Sequence, residues 1–360
     1  MFLKAIATVL MASVWAGNAW SESDSPIVFQ GVCDASAAFF DSKGQLVVAD
    51  DQTDVVQVYA LTGGTPVGNH DMYPYTGTNR YARRNFSAFE AVAAQGEDLF
   101  FLTSHARERR SGANRPRRRK FFAVRSVEVE GVETFQLVGA AYKNLHTSLS
   151  ESPELKRFGI GNSIMEVYRE LPHLRPDKSG IMMQALAAGQ DGKSLWIGLR
   201  NPRRAGRAIV IPFFNPLRVV LGVANPEFGK PVLLDLGGYG ISDMLLDRTR
   251  NVYWIAAGPH DKRGLSRLYR WSGSESESPV RMMEIEPSDF ETQAIALSDS
   301  GRMLLLSDDG DRPYEVEGRA QCKRNLAEDG TCACHDLVDE SRKRFRGQWV
   351  SLPSDPSEKP

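Results

Sequence analysis

The chain has 360 residues, 42% of them hydrophobic, and 44 Lys and Arg against 45 Asp and Glu leave a formal charge of −1. That length suffices for one large β domain or two ordinary domains with a substantial core. The near-zero charge gives no overall field that would draw the molecule to nucleic acid or to an anionic membrane.

Residues 1–21 read as a secretory signal peptide: Lys4, an apolar stretch over 5–16, then the small residues Gly17, Ala19 and Ser21. The apolar stretch is 12 residues long, short of the roughly 18 that a spanning helix needs. No Cys follows a cleavage after Ala19 or Ser21, so no membrane anchor is expected. The expected location is the periplasm or the exterior, with a mature charge of −2 once Lys4 is removed.

Beyond the leader a unit recurs, an inner run of small and apolar residues followed by a turn and a bulkier β-forming run. PIVF (26–29) precedes the first unit, in which SAAFF (36–40) leads to LVVAD (46–50) and VVQVYAL (55–61). EAVAA (90–94) leads to FFLTS (100–104), FFAVRSV (121–127) and FQLVGA (135–140). QALAA (184–188) leads to LWIG (195–198), AIVIPFF (208–214) and PVLLDL (231–236). SDMLL (242–246) leads to VYWIAA (252–257) and RLYRW (267–271), and QAIAL (293–297) to MLLLS (303–307) and QWVSL (348–352).

The register of these units is constant. From the first residue of each inner run to the matching position of its partner, 36 to 50, 90 to 104, 184 to 198, 242 to 256 and 293 to 307, the offset is 14 every time. The turns between them, DSKG, QGED, GQDG, DRTRN and SDSG, carry the Gly, Asp and Asn that hairpins use. Antiparallel four-stranded units with small residues innermost, where sheets crowd an axis, predict an all-β five-bladed β-propeller over 26–353. PIVF is expected to supply the outer strand that the last unit lacks, closing the ring and removing exposed edges. Three insertions interrupt the pattern, at 105–120, 141–181 and 309–346, and 354–360 is expected to be a disordered tail. The second of these includes the helix-like SIMEVYREL.

Where each inner strand begins and its partner ends, residues from all five units should meet at one channel mouth. GVCDASAAFF, LVVADDQTDVVQVY, LWIGLRNP, RAIVIPFFNP, LLDLGGYGI, YWIAAGP and LYRWSG together resemble the bacterial domain-of-unknown-function family numbered 3616, over about residues 28 to 310. The resemblance implies a secreted, propeller-like domain of uncharacterised role. Members often show Asp-Ile-Glu-Gly at inner strands, where this chain has AFEA and MMQA, keeping Glu90 and placing Gln184 where the other acid stands.

The strand ends offer Asp34, Asp50, Glu90, His105, Arg200 and Asn201 as ligand-binding residues at the mouth. HARERRSGANRPRRRK (105–120), with eight Arg or Lys, is expected to stay solvated and mobile, and to capture anionic groups through its guanidinium forks. With no interleaved aromatic residues to stack bases, it does not read as a nucleic-acid site. The first reading is therefore an exported propeller binding a small or polymeric anionic ligand. Glu90, Asp34 and Asp308 would supply oxygens for calcium if the mouth were instead a metal-dependent hydrolase of phosphate esters or lactones. A third reading is a scaffold for a protein partner. Of the six His, only His105 and His260 fall near the rim, too few for a histidine-rich metal site. In an exported chain Cys33, Cys322, Cys332 and Cys334 should form two disulfides, one of them joining Cys33 to the C-terminal loop.

Overall fold

A computed structural model describes residues 25–78, 86–163, 171–259, 264–324 and 326–353. The expected leader at 1–21, the tail at 354–360, His260 and most of SIMEVYREL lie outside the described residues.

β1 (Ile27–Gln30) is followed by a first sheet of β2 (Ala37–Phe40), β3 (Leu46–Ala49), β4 (Val55–Tyr59) and β5 (Gly68–Asp71). The second sheet holds β6 (Phe89–Gln95), β7 (Asp98–Thr103), β8 (Phe121–Val129) and β9 (Val132–Tyr142). The third holds β10 (Met182–Ala188), β11 (Leu195–Asn201), β12 (Ala208–Phe213) and β13 (Val232–Leu234), and the fourth β14 (Gly240–Asp247), β15 (Val252–Gly258), β16 (Ser266–Trp271) and β17 (Val280–Ile285). In the fifth, β18 (Thr292–Leu297) and β19 (Arg302–Ser307) lead through the small hairpin of β20 (Pro313–Glu315) and β21 (Thr331–Ala333) to β22 (Arg344–Ser351).

β1 pairs antiparallel with β22, from Ile27 opposite Gly347 to Gln30 opposite Arg344, so the N-terminal strand completes the last sheet. Each inner strand abuts the inner strands of both neighbouring blades, β2 to β6 to β10 to β14 to β18 and back to β2. The fold is a closed five-bladed β-propeller.

Each sheet is covered on both faces, which is why its central strands read as unbroken apolar runs rather than alternating ones. All four residues of β3 and all six of β12 are buried. Apolar side chains from facing sheets form one core between each pair of blades: Phe89, Phe101 and Phe122 between the first and second, and Phe121, Ile197 and Phe213 between the second and third. Tyr253 and Trp271 lie between the third and fourth, and Trp254, Ile295 and Leu305 between the fourth and fifth. Phe29, Tyr59, Leu304 and Phe345 close the ring between the fifth and first.

The three insertions leave from one face, where β7, β9 and β19 hand on to the next strand. The second contains short helices at Leu145–Glu151 and Pro153–Lys156. Both expected disulfides are present: Cys33–Cys334 ties the start of the first blade to the C-terminal loop, and Cys322–Cys332 closes a short loop within it. Among the described residues no helix is long and apolar enough to cross a membrane.

Candidate functional site at the channel mouth

Four inner strands carry a β-bulge at the same place. Pairing skips Glu90 between Phe89 and Ala91, Gln184 between Met183 and Ala185, Ser242 between Ile241 and Asp243, and Gln293 between Thr292 and Ala294. In the first blade Ser36 holds the equivalent place, its N–H donating to the Ala49 carbonyl at 3.0 Å just before β2. A bulge leaves one residue out of the ladder and re-aims its side chain. The result is a ring of five polar residues, one per blade, each at most 6% exposed.

Above this ring lies a cavity of about 550 Å³, and Ser36, Glu90, Gln184 and Gln293 line it. Ser242 instead accepts the Arg200 Nη1 at 2.7 Å. Arg200 also donates from Nη2 to the Pro259 carbonyl at 2.8 Å and to Glu291 Oε1 at 2.7 Å, so its buried guanidinium fastens three blades together while facing the cavity. That is the role of the arginine one residue before the end of β11.

Asp34, Glu90, Arg200 and Asp308, expected at the mouth from four separate stretches of sequence, all line this one cavity. Asp34 and Asp308 stand opposite each other as an isolated β-bridge. Gly310 lies against Asp34 so closely that a Cβ there would fall 2.0 Å from Asp34 Oδ1. Burial first, then the charges of Asp308 and Asp51, hold the Asp34 carboxyl well above the ordinary carboxylate range. Glu90 is raised by burial and by Asp51. Gln184 donates from Nε2 to Glu90 Oε2 at 3.2 Å, and its own Oε1 is buried with no donor.

Three expected ligand residues do not line the cavity. Asp50 is buried, Oδ1 accepting the N–H groups of Gln52 and Thr53 at 2.8 Å each, and burial and Asp51 push its carboxyl up to about 7. Asn201 donates from Nδ2 to the carbonyls of Lys178 and Gly180, both at 2.8 Å, and so anchors the second insertion. His105 has φ 53, in the left-handed region, and is buried. Its Nδ1 donates to the Thr103 carbonyl at 2.7 Å, and burial pushes the imidazole down to about 3, leaving the ring neutral. Among the described residues no group of three His, Cys, Asp or Glu is placed to hold a metal ion.

The rim was less legible in sequence. The basic loop, expected to be mobile, is folded back on itself across the mouth: the His105 N–H donates to the Arg118 carbonyl, Arg107 Nη1 to the Gly112 carbonyl, and Arg119 Nη2 to Asn114 Oδ1. Gly112, at φ 71, meets the second insertion, where a Cβ would fall 2.2 Å from the Leu171 carbonyl oxygen and the Leu171 N–H donates to the Gly112 carbonyl. An Arg109–Asp311 ion pair at 3.8 Å joins the basic loop to the C-terminal loop. Arg175, from the second insertion, pairs with Asp177 through Nη2 at 2.5 Å and donates to the Arg110 carbonyl.

The three insertions therefore meet over one opening and bring Arg109, Arg110, Arg118, Arg175 and Arg324 to its wall. Arg110 and Arg118 form no ion pair among the described residues. A second hollow of about 980 Å³ adjoins the first, sharing Gln52, Glu108, Arg118, Arg324 and His335, and Arg115, Arg117, Lys323 and Lys343 line it. Arg175, Arg324 and His335 were not singled out from sequence; the only signal was that their loops leave from this face.

No family model matches the chain, and no curated protein matches it. Several solved structures resemble it. An oxidoreductase assigned as a glucose dehydrogenase from Thermus thermophilus is 10% identical, with 90% of this chain and 100% of that one covered and a TM-score of 0.43. The PQQ-bound aldose sugar dehydrogenase of Streptomyces coelicolor is 9% identical over 92% of this chain and 100% of that one, with a TM-score of 0.42. The virginiamycin B lyase of Staphylococcus aureus is 8% identical over 91% and 99%, with a TM-score of 0.40.

Proposed function

We propose that the protein is exported and that its channel mouth binds an anionic ligand. The carrying observation is the convergence of five arginines from three separate insertions on one cavity wall, two of them in no ion pair among the described residues. Guanidinium groups bind phosphate, sulfate and carboxylate as planar forks, and a recessed wall screens them less than open solvent does. Most acidic groups beside them are already engaged: Asp177 with Arg175, Asp311 with Arg109, Glu291 with Arg200. Glu108 Oε2 accepts both the N–H and the hydroxyl of Ser111. Two disulfides in a chain with an expected leader support export.

Calorimetric titration of the mature protein with inorganic phosphate tests this reading. Binding should weaken as salt rises, and replacing both Arg110→Ala and Arg118→Ala should weaken it roughly tenfold or more. Absence of phosphate binding, or a double variant that binds as the parent does, would remove the proposal.

A further inference from the structure

We infer that the ligand of this mouth is amphoteric, its acidic group held on the arginine wall and a protonated amine set down on the carboxyl floor. The inference rests on the anion-binding reading above and adds the chemistry of the ligand's other end. The floor and the wall are built from different parts of the chain and carry opposite character. Asp34, Asp308 and Glu90 come from strand ends around the channel, whereas the arginines come from the insertions that cross above it.

One acceptor on the floor has no donor. Gln184 spends Nε2 on Glu90 and leaves Oε1 buried with nothing donating to it. Arg200, which also lines the cavity, is engaged by Ser242, the Pro259 carbonyl and Glu291. Gly310 packs against the Asp34 carboxyl and donates its N–H to Asp308 Oδ1 at 2.9 Å, so the two acids lie side by side around it. A buried acceptor without a donor and carboxyls held together are both relieved by a group bearing several N–H donors and a positive charge. An ammonium spreads its donors over separate acceptors.

The test compares phosphoethanolamine and the longer aminobutyl phosphate with their hydroxyl-terminated counterparts, by calorimetry on the mature, disulfide-bonded protein. At least one amine probe should bind roughly tenfold or more tighter than its hydroxyl counterpart. Asp308→Asn, and separately Glu90→Gln as a variant that retains the Gln184 contact, should bring that ratio toward one, with thermal melts confirming that each variant folds. Equal binding of amine and hydroxyl probes would overturn the inference while leaving the anion reading standing. Failure of every phosphate probe would overturn both. Calcium found in stoichiometric amount after dialysis, and displaced on Asp308→Asn, would put a metal where we place the amine and would also overturn it.

Discussion

Asp50 shows how burial turns a strand-end carboxylate into a pH-dependent element of stability. Its folded value is raised from 3.8 to about 7, chiefly by desolvation and then by Asp51. The native state therefore keeps a proton that the unfolded chain has already lost, so this contribution is fully present below about pH 4 and is lost as pH rises through about 7. Asp34 and Glu90, raised for the same reason, act in the same direction. Asp50→Asn retains an oxygen for the Gln52 and Thr53 N–H groups and cannot titrate. We expect it to leave stability near pH 4 unchanged and to raise it at pH 8 by up to about 4 kcal/mol, from roughly three pKa units at about 1.4 kcal/mol each. Urea unfolding at the two pH values checks this, and an equal change at both would refute it.

At the same scale, sequence located the strand ends but not the direction of each side chain. Arg200 and Asn201 are neighbours in one strand, and successive side chains in a strand point to opposite faces, so one reaches the channel and the other the insertion. The bulges that turn Glu90, Gln184 and Gln293 inward leave no mark in composition. His105 reads as a rim residue in sequence, yet its left-handed backbone turns the ring into the interior.

Among the elements, β1 carries the closure of the ring. Phe29 is fully buried, stacked on Phe345 with centroids 4.9 Å apart and edge-on to Tyr59 at 5.3 Å, while the Tyr59 hydroxyl donates to the Gln30 carbonyl at 2.8 Å. Phe29→Ala should cost about 3–5 kcal/mol, since the cavity forms between two β-sheets already pinned by their own ladders and cannot collapse. Chemical denaturation measures the loss, and a value below about 1 kcal/mol would mean that the strand does not close the last blade. The strands were legible because each blade repeats one hairpin register and buries both faces. The insertions were not, because their shape is set by contacts between distant loops, such as the Leu171 N–H on the Gly112 carbonyl and the Cys33–Cys334 bond.

Over the whole molecule, a net charge near zero hides a separation of charge, with arginines from the insertions above and carboxyls from the strand ends below. The blades hold this arrangement because each contributes one inward residue to the ring and one apolar face to each neighbour. The function we propose depends on residues from about 34 to 324 acting as one surface. Hydrogen–deuterium exchange of the mature protein with and without saturating inorganic phosphate tests that dependence most directly. The account predicts simultaneous protection at 104–118, 173–178 and 308–324. Protection confined to a single one of these segments, or none in any of them, would contradict it.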